Sequence, residues 1–100
     1  MNHTKWEEIR MAMIEKSNVI RWRTKDLITG YVSEWDAEWF YHFRLGGYDT
    51  IEWLEIETVN SQIKDEIIKE LKKIHAPGIV MEKFIMIYGY KKDNDVNYIE

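Results

Sequence analysis

The side chains with the strongest claim to chemistry are three histidines, His3, His42 and His75, and two carboxylate clusters, Glu34, Asp36 and Glu38, then Glu52, Glu55 and Glu57. Histidines that hold a metal recur at spacings such as H-x3-H or HExxH, which let two imidazoles converge from one face. These three fall in a terminal arm, an aromatic stretch and a lysine-rich helix end, so neither a metal nor a cofactor is expected. Paired carboxylates can supply the acid and base of glycoside hydrolysis, but one of them must then sit in an apolar pocket beside the other. Acids alternating with apolar residues fit solvated strand faces instead. His42 is the histidine that a neighbouring strand brings near an acid, Glu52. With Tyr41 or Arg44 it makes the one constellation from which a small enzyme or ligand site is buildable, although a half-buried histidine paired with an acid explains the same pattern.

Other chemistries lack their residues. Ser17, Ser33 and Ser61 have no G-x-S-x-G context, and no Lys-Ser/Thr helix follows Gly46-Gly47, so nucleophilic and phosphate-loop readings fail. With no cysteine there is no thiolate, disulfide or Cys-based zinc site, which suits a reducing compartment and makes the cytoplasm the expected location. Fourteen basic against 18 acidic residues give a net charge of −4, without the basic excess that phosphate-backbone binding needs. Nucleic acid is therefore not an expected partner, and a basic protein is. Five tryptophans invite a stacking role. Trp6, Trp22 and Trp53 have apolar neighbours at core spacing, whereas Trp35 lies at an acidic turn beside Asp36 and Glu38. Those three are the candidate partner-binding residues, since an exposed tryptophan among carboxylates matches a protein-binding hot spot better than a base-stacking platform.

The elements that must position these groups follow from periodicity. Thr4 to Glu7 has the form of a capping box, and Trp6, Ile9, Ala12 and Met13 then recur at helical spacing. Val19 to Lys25 alternates, with Ile20, Trp22 and Thr24 inward and Arg21, Arg23 and Lys25 on an outward face. Asp26 to Gly30 is a turn, and Tyr31 to Trp35 is a short strand or an ordered loop. Glu38–Arg44 and Thr50–Glu57 read as two arms of an aromatic hairpin around Gly46-Gly47. A two-residue loop would mix charge and bulk on each face. An odd loop gathers Trp39, Tyr41, Phe43, Ile51 and Trp53 on one face and leaves His42 and Glu52 as cross-strand neighbours on the other, and it is the expected register.

Asn60 or Ser61 caps a second helix with Ile63, Ile67, Leu71 and Ile74 on one stripe and Asp65 and Lys69 as an outer pair. Lys72, Lys73 and His75 favour its C-terminal dipole, and Pro77-Gly78 ends it. Ile79 to Tyr90 is apolar on both faces, as in a central strand, Lys91 to Asp95 is a polar turn, and Val96 to Ile99 is a short edge strand. These elements make one domain over residues 1–100 of α+β class. A mostly antiparallel sheet of about four to five strands carries two helices on one face, in the order α-β-β-β-α-β. The acidic N-terminal turn reads as mature protein, and no apolar run reaches the roughly 18 residues that span a bilayer, so no membrane is expected.

The motifs TKWEEIR, EWDAEWFYHF and TIEWLEI resemble those of a family of small uncharacterised bacterial proteins, a domain of unknown function, over nearly the whole chain. They are hydrophobic scaffold patterns, so the resemblance carries over no catalytic residue. In size, acidity and aromatic content the chain is also similar to immunity proteins that neutralise basic toxins. The expectation is thus a non-enzymatic cytoplasmic binding protein that turns Trp35, Asp36 and Glu38 towards a basic partner. A small enzyme or ligand domain using His42 with Glu52, Tyr41 or Arg44, and a structural homodimer, are the alternatives.

Overall fold

The computed structural model describes residues 2–16 and 19–89. Helix α1 (His3–Ile14) is capped by Asn2, whose side chain accepts from Lys5 N at 2.9 Å. The expected Thr4–Glu7 box does not form. Asn serves at least as well as Thr at the cap, and Glu7 is drawn off to the Tyr48 hydroxyl and to Arg10, where its charge strengthens both bonds. The stripe Trp6, Ile9 and Met13 is buried as its spacing requires.

Strands β1 (Trp22–Asp26), β2 (Ile51–Glu57), β3 (Gly78–Val80) and β4 (Phe84–Tyr88) form one antiparallel sheet in the order β1-β2-β4-β3. Helix α2 (Ser61–Ile74) lies between β2 and β3 in the chain, capped by Asn60. The class is α+β, and the chain order is α-β-β-α-β-β where α-β-β-β-α-β was expected.

Two differences produce that order. Glu38–Arg44 is not a strand but a turn leading into one 3-10 turn at His42–Arg44. The Glu38 carboxylate accepts from Tyr41 N at 2.5 and 2.8 Å and from His42 N at 3.4 Å, so the side chain satisfies amides that a strand ladder would otherwise claim. Trp39 and Phe43, four residues apart, then fall on the same side of a helical path, with ring centroids 4.8 Å apart. Tyr41, which the odd-loop register sends inward, is 66% exposed. In place of the Glu38–Arg44 arm, β2 pairs on one side with β1, Trp22 opposite Ile56 and Thr24 opposite Leu54, and on the other with β4. Of the face expected to be buried, Trp39, Phe43 and Ile51 are in the core. Trp53 is only half-buried, alternating with the buried Leu54 and facing Lys25 and Tyr88.

The second difference is a break in the apolar run from Ile79. The chain reverses at Met81–Lys83, where Met81 N donates to Phe84 O at 2.9 Å, so that β3 and β4 pair as a hairpin. Strand β4 is central, as expected, and β3 is the edge. Gly78 and Gly89 are required by close approach, because a Cβ would stand 2.2 Å from Met86 O and 1.9 Å from Ile51 O respectively. The turn expected at Lys91 to Asp95 and the strand expected at Val96 to Ile99 lie outside the described residues.

Alternation gives the sheet two characters. Trp22, Leu54, Ile56, Ile85 and Ile87 enter the buried cluster together with Trp6, Ile9, Ile67 and Leu71, each large side chain contributing on the order of 1.5–3 kcal/mol. The other face carries Arg21, Arg23, Trp53, Glu55, Phe84 and Met86. Phe43 joins the aromatic residues of the interior, packing on Trp6, Trp22, Trp39 and Tyr48 at centroid distances of 6.1, 5.1, 4.8 and 5.8 Å. Through it the loop between β1 and β2 belongs to the core.

Candidate functional site

After β1 the chain turns at Asp26, whose carboxylate accepts from Ile28 N and Thr29 N at 2.8 Å each. The Thr29 bond, helped by Ile28 and the Thr50 hydroxyl, holds this carboxyl below its ordinary range against the effect of partial burial. Residues 31–36 then return along the free edge of β1. Isolated bridges join Lys25 to Val32 and Trp22 to Asp36, and Ser33 N donates to Thr24 O at 2.9 Å. This answers the question left open for Tyr31–Trp35: it is an ordered strap with strand-like pairing, and it covers an edge that would otherwise be exposed.

The strap separates the three candidate partner-binding residues. Trp35 is half-buried against the outer sheet face, with the Arg23 guanidinium 4.6 Å and that of Arg21 5.7 Å from its ring. Asp36 accepts from Glu38 N at 2.8 Å and meets His42 Nδ1 at 2.9 Å. Partial burial works against its charge, but the Glu38 and His42 contacts prevail and keep the carboxyl below the ordinary range. Glu38 caps Tyr41 and His42, and its carbonyl accepts from Trp22 Nε1 at 3.1 Å. Two of the three acidic-aromatic candidates thus fold the loop.

The basic face of β1 is paired across the sheet. Arg21 bonds the Glu57 carboxylate through two nitrogens, and this holds Glu57 below its ordinary range. Arg23 Nε lies 2.5 Å from Glu55, which is buried and would be costly without that partner. Lys25 meets Glu52 at 3.2 Å. Glu52 is therefore engaged by Lys25 and His42 by Asp36, and the anticipated His42–Glu52 pair is not formed. Tyr41 and Arg44 point to solvent beside them, both exposed.

Sequence reasoning missed the group that latches this loop to α1. Arg10 is 5% exposed, bonding Glu7 and donating to Phe40 O at 3.1 Å. Tyr48 donates to Glu7, while His3 and Asp49 meet at 2.6 Å. An arginine on the same stripe as Trp6 and Met13 was a sign of buried pairing. Likewise, Asp36-x-Glu38 ahead of Trp39 and Phe43 was a sign of side-chain capping rather than of a strand.

Between the strap and the Gly46-Gly47 turn lies a half-open cleft of ≈ 420 Å³, with Trp22 and Phe43 among its walls and His42 lining it. Among the described residues no group of histidines, cysteines or acids is placed to hold a metal ion, and no helix is long and apolar enough to cross a membrane.

The chain belongs to a family of unknown function, DUF6678, whose sequence model matches residues 1–94. No curated protein and no solved structure matches it.

Proposed function

We propose that this member of a family without an assigned activity is a non-enzymatic, cytoplasmic protein-binding module, and that its docking surface is the aromatic loop from Ile28 to Leu45. The observation that carries the reading is the exposure of Ile28, Tyr31, Phe40, Tyr41 and Leu45 on a loop that is internally braced. Isolated exposed apolar residues are ordinary, but a run of them with tyrosines among them suits a protein contact. Asp36 and Glu38 cap the turn and Phe43 roots it in the core. Little further ordering is then lost when a partner docks. Both helices are taken to pack on the Leu54–Ile87 face, since their buried residues join that cluster, which leaves loop and outer face for partners.

A basic partner fits the net charge of −4 and the exposed carboxylates of Glu34 and Asp49. An immunity-type role, in which the module covers a basic toxin, is the form this reading takes. The test is affinity capture from the source cells with the full chain as bait, repeated with the double variant Phe40→Ser/Tyr41→Ser and over a salt series. A basic protein recovered by the parent, lost with the double variant and weakened by salt is the expected result. Equal recovery by both baits would remove this surface from consideration, and light scattering on the bait alone distinguishes a hetero-partner from a second copy.

A further inference from the structure

We infer that the cleft beside His42 is a binding site for a small neutral polyhydroxylated ring, the chemical class of a sugar. The cleft shares Tyr31 and Leu45 with the docking loop, but the inference does not rest on that reading; it rests on how the polar groups of the cleft are already committed. Lys25 is matched by Glu52 at 3.2 Å. His42 is matched by Asp36 at 2.9 Å. Asp26 is matched by two backbone N–H groups and the Thr50 hydroxyl. Lys25 and His42 therefore already face acids, and an anionic ligand would have to displace one of those, while Asp26 is held by neutral donors.

What remains is dipolar capacity of both kinds. Asp36 occupies His42 Nδ1, which leaves Nε2 as the ring's remaining hydrogen-bonding atom for a ligand. Lys25 has protons beyond the one directed at Glu52, Asp26 has further lone pairs, and Tyr31 offers both a hydroxyl and an exposed ring face at the rim. Donors and acceptors interleaved within one cleft, beside an aromatic ring, match alternating hydroxyls and C–H faces of a sugar. The walls are fixed, because Trp22 and Phe43 are buried in the aromatic cluster. Gly46 and Gly47, both at positive φ with open space where a Cβ would be, leave the mouth unobstructed.

The experiment is an amide NMR titration of the full chain with D-glucose, D-galactose, N-acetylglucosamine and D-ribose, and separately with inorganic phosphate and acetate. At least one neutral sugar should shift the Gly46 and Gly47 amides and the Trp22 indole saturably. His42→Ala should weaken that response by about tenfold, or about 1.4 kcal/mol. Should His42→Ala disturb the fold, Tyr31→Ala takes its place, since that side chain is exposed. Absence of saturation by every sugar up to about 50 mM, a concentration above the millimolar range of weak sites, overturns the inference. So does saturation by phosphate or acetate instead, or a sugar response unchanged in both variants.

Discussion

His42 and Asp36, six residues apart, meet at 2.9 Å between Nδ1 and Oδ2, a contact produced by neither strand alternation nor helical spacing. Asp36 reaches it while also accepting from Glu38 N and pairing through its backbone with Trp22. One residue thus ends the strap, opens the capped turn and orients the imidazole.

Asp36→Ala removes the Glu38 and His42 bonds together, so it should cost about 1–2 kcal/mol, the range of a lost side-chain cap. The exposed acid two residues earlier, Glu34, has no such duty, and Glu34→Ala should stay within about 0.5 kcal/mol. Urea unfolding of the two variants checks the contrast.

Phe43→Ala should be among the most damaging single changes, at about 3–5 kcal/mol. It empties the position shared by Trp6, Trp22, Trp39 and Tyr48. Tyr41→Ala, two residues away and exposed, should change stability by about 0.5 kcal/mol or less. A strand would have put both side chains on the same face, so comparable losses for the two variants would speak for the hairpin register.

This contrast marks what could be read from the sequence. The helices were legible because Trp6, Ile9 and Met13, and Ile67 and Leu71, repeat with a period that admits one interpretation. Strand β1 was legible over Trp22 to Lys25, where Arg23 and Lys25 alternate with Trp22 and Thr24, although the strand expected from Val19 begins only at Trp22 and runs on to Asp26. The aromatic run from Trp39 was not. Trp39, Tyr41 and Phe43 satisfy period two while Trp39 and Phe43 satisfy a helical turn, and the decision lay with a carboxylate, Glu38, capping amides ahead of it. The partition of Ile79 to Tyr88 into two strands depended on the break at Met81–Lys83, where only Glu82 and Lys83 interrupt the apolar run. At the candidate site, Trp35 was expected at an acidic turn and Glu38 at the start of a strand, whereas Trp35 and Asp36 lie in the strap and Glu38 caps the turn after it; the hydrogen bonds that decide this are not displayed by residue types.

Gly89 and Gly47 separate steric from conformational need. A Cβ at Gly89 would collide with the Ile51 carbonyl oxygen at 1.9 Å, and backbone cannot swing aside as a side chain can. Gly89→Ala should therefore force β2 and β4 apart and cost more than the ~1–2 kcal/mol of a strained backbone alone. Gly47 has φ +82 and nothing near its Cβ direction, so Gly47→Ala should cost only that conformational ~1–2 kcal/mol. Thermal unfolding of both, with amide exchange in β2 as the local readout, tests the order.

The Glu7–Tyr48 bond gives stability a limit at each end of the pH scale. The Tyr48 hydrogen bond, aided by Arg10, holds the Glu7 carboxyl below its ordinary value despite partial burial, and Asp26, Asp36 and Glu57 are depressed as well. A carboxylate whose folded pKa is lowered adds stability above its unfolded pKa and loses it as pH falls through the folded one. Unfolding should thus become easier below about pH 4, where ordinary carboxylates begin to protonate. Tyr48 runs the other way. Burial first, then the bond to Glu7, pushes its hydroxyl up to about 12. Its contribution is complete below the ordinary tyrosine value of about 10 and disappears as pH rises from there towards the folded pKa. In urea-midpoint measurements against pH, Tyr48→Phe should lower stability by about 1 kcal/mol at neutral pH and flatten the alkaline decline. An alkaline decline of the same size in Tyr48→Phe would assign it to another group, whereas its loss ties the fastening of α1 to the loop to this one hydroxyl.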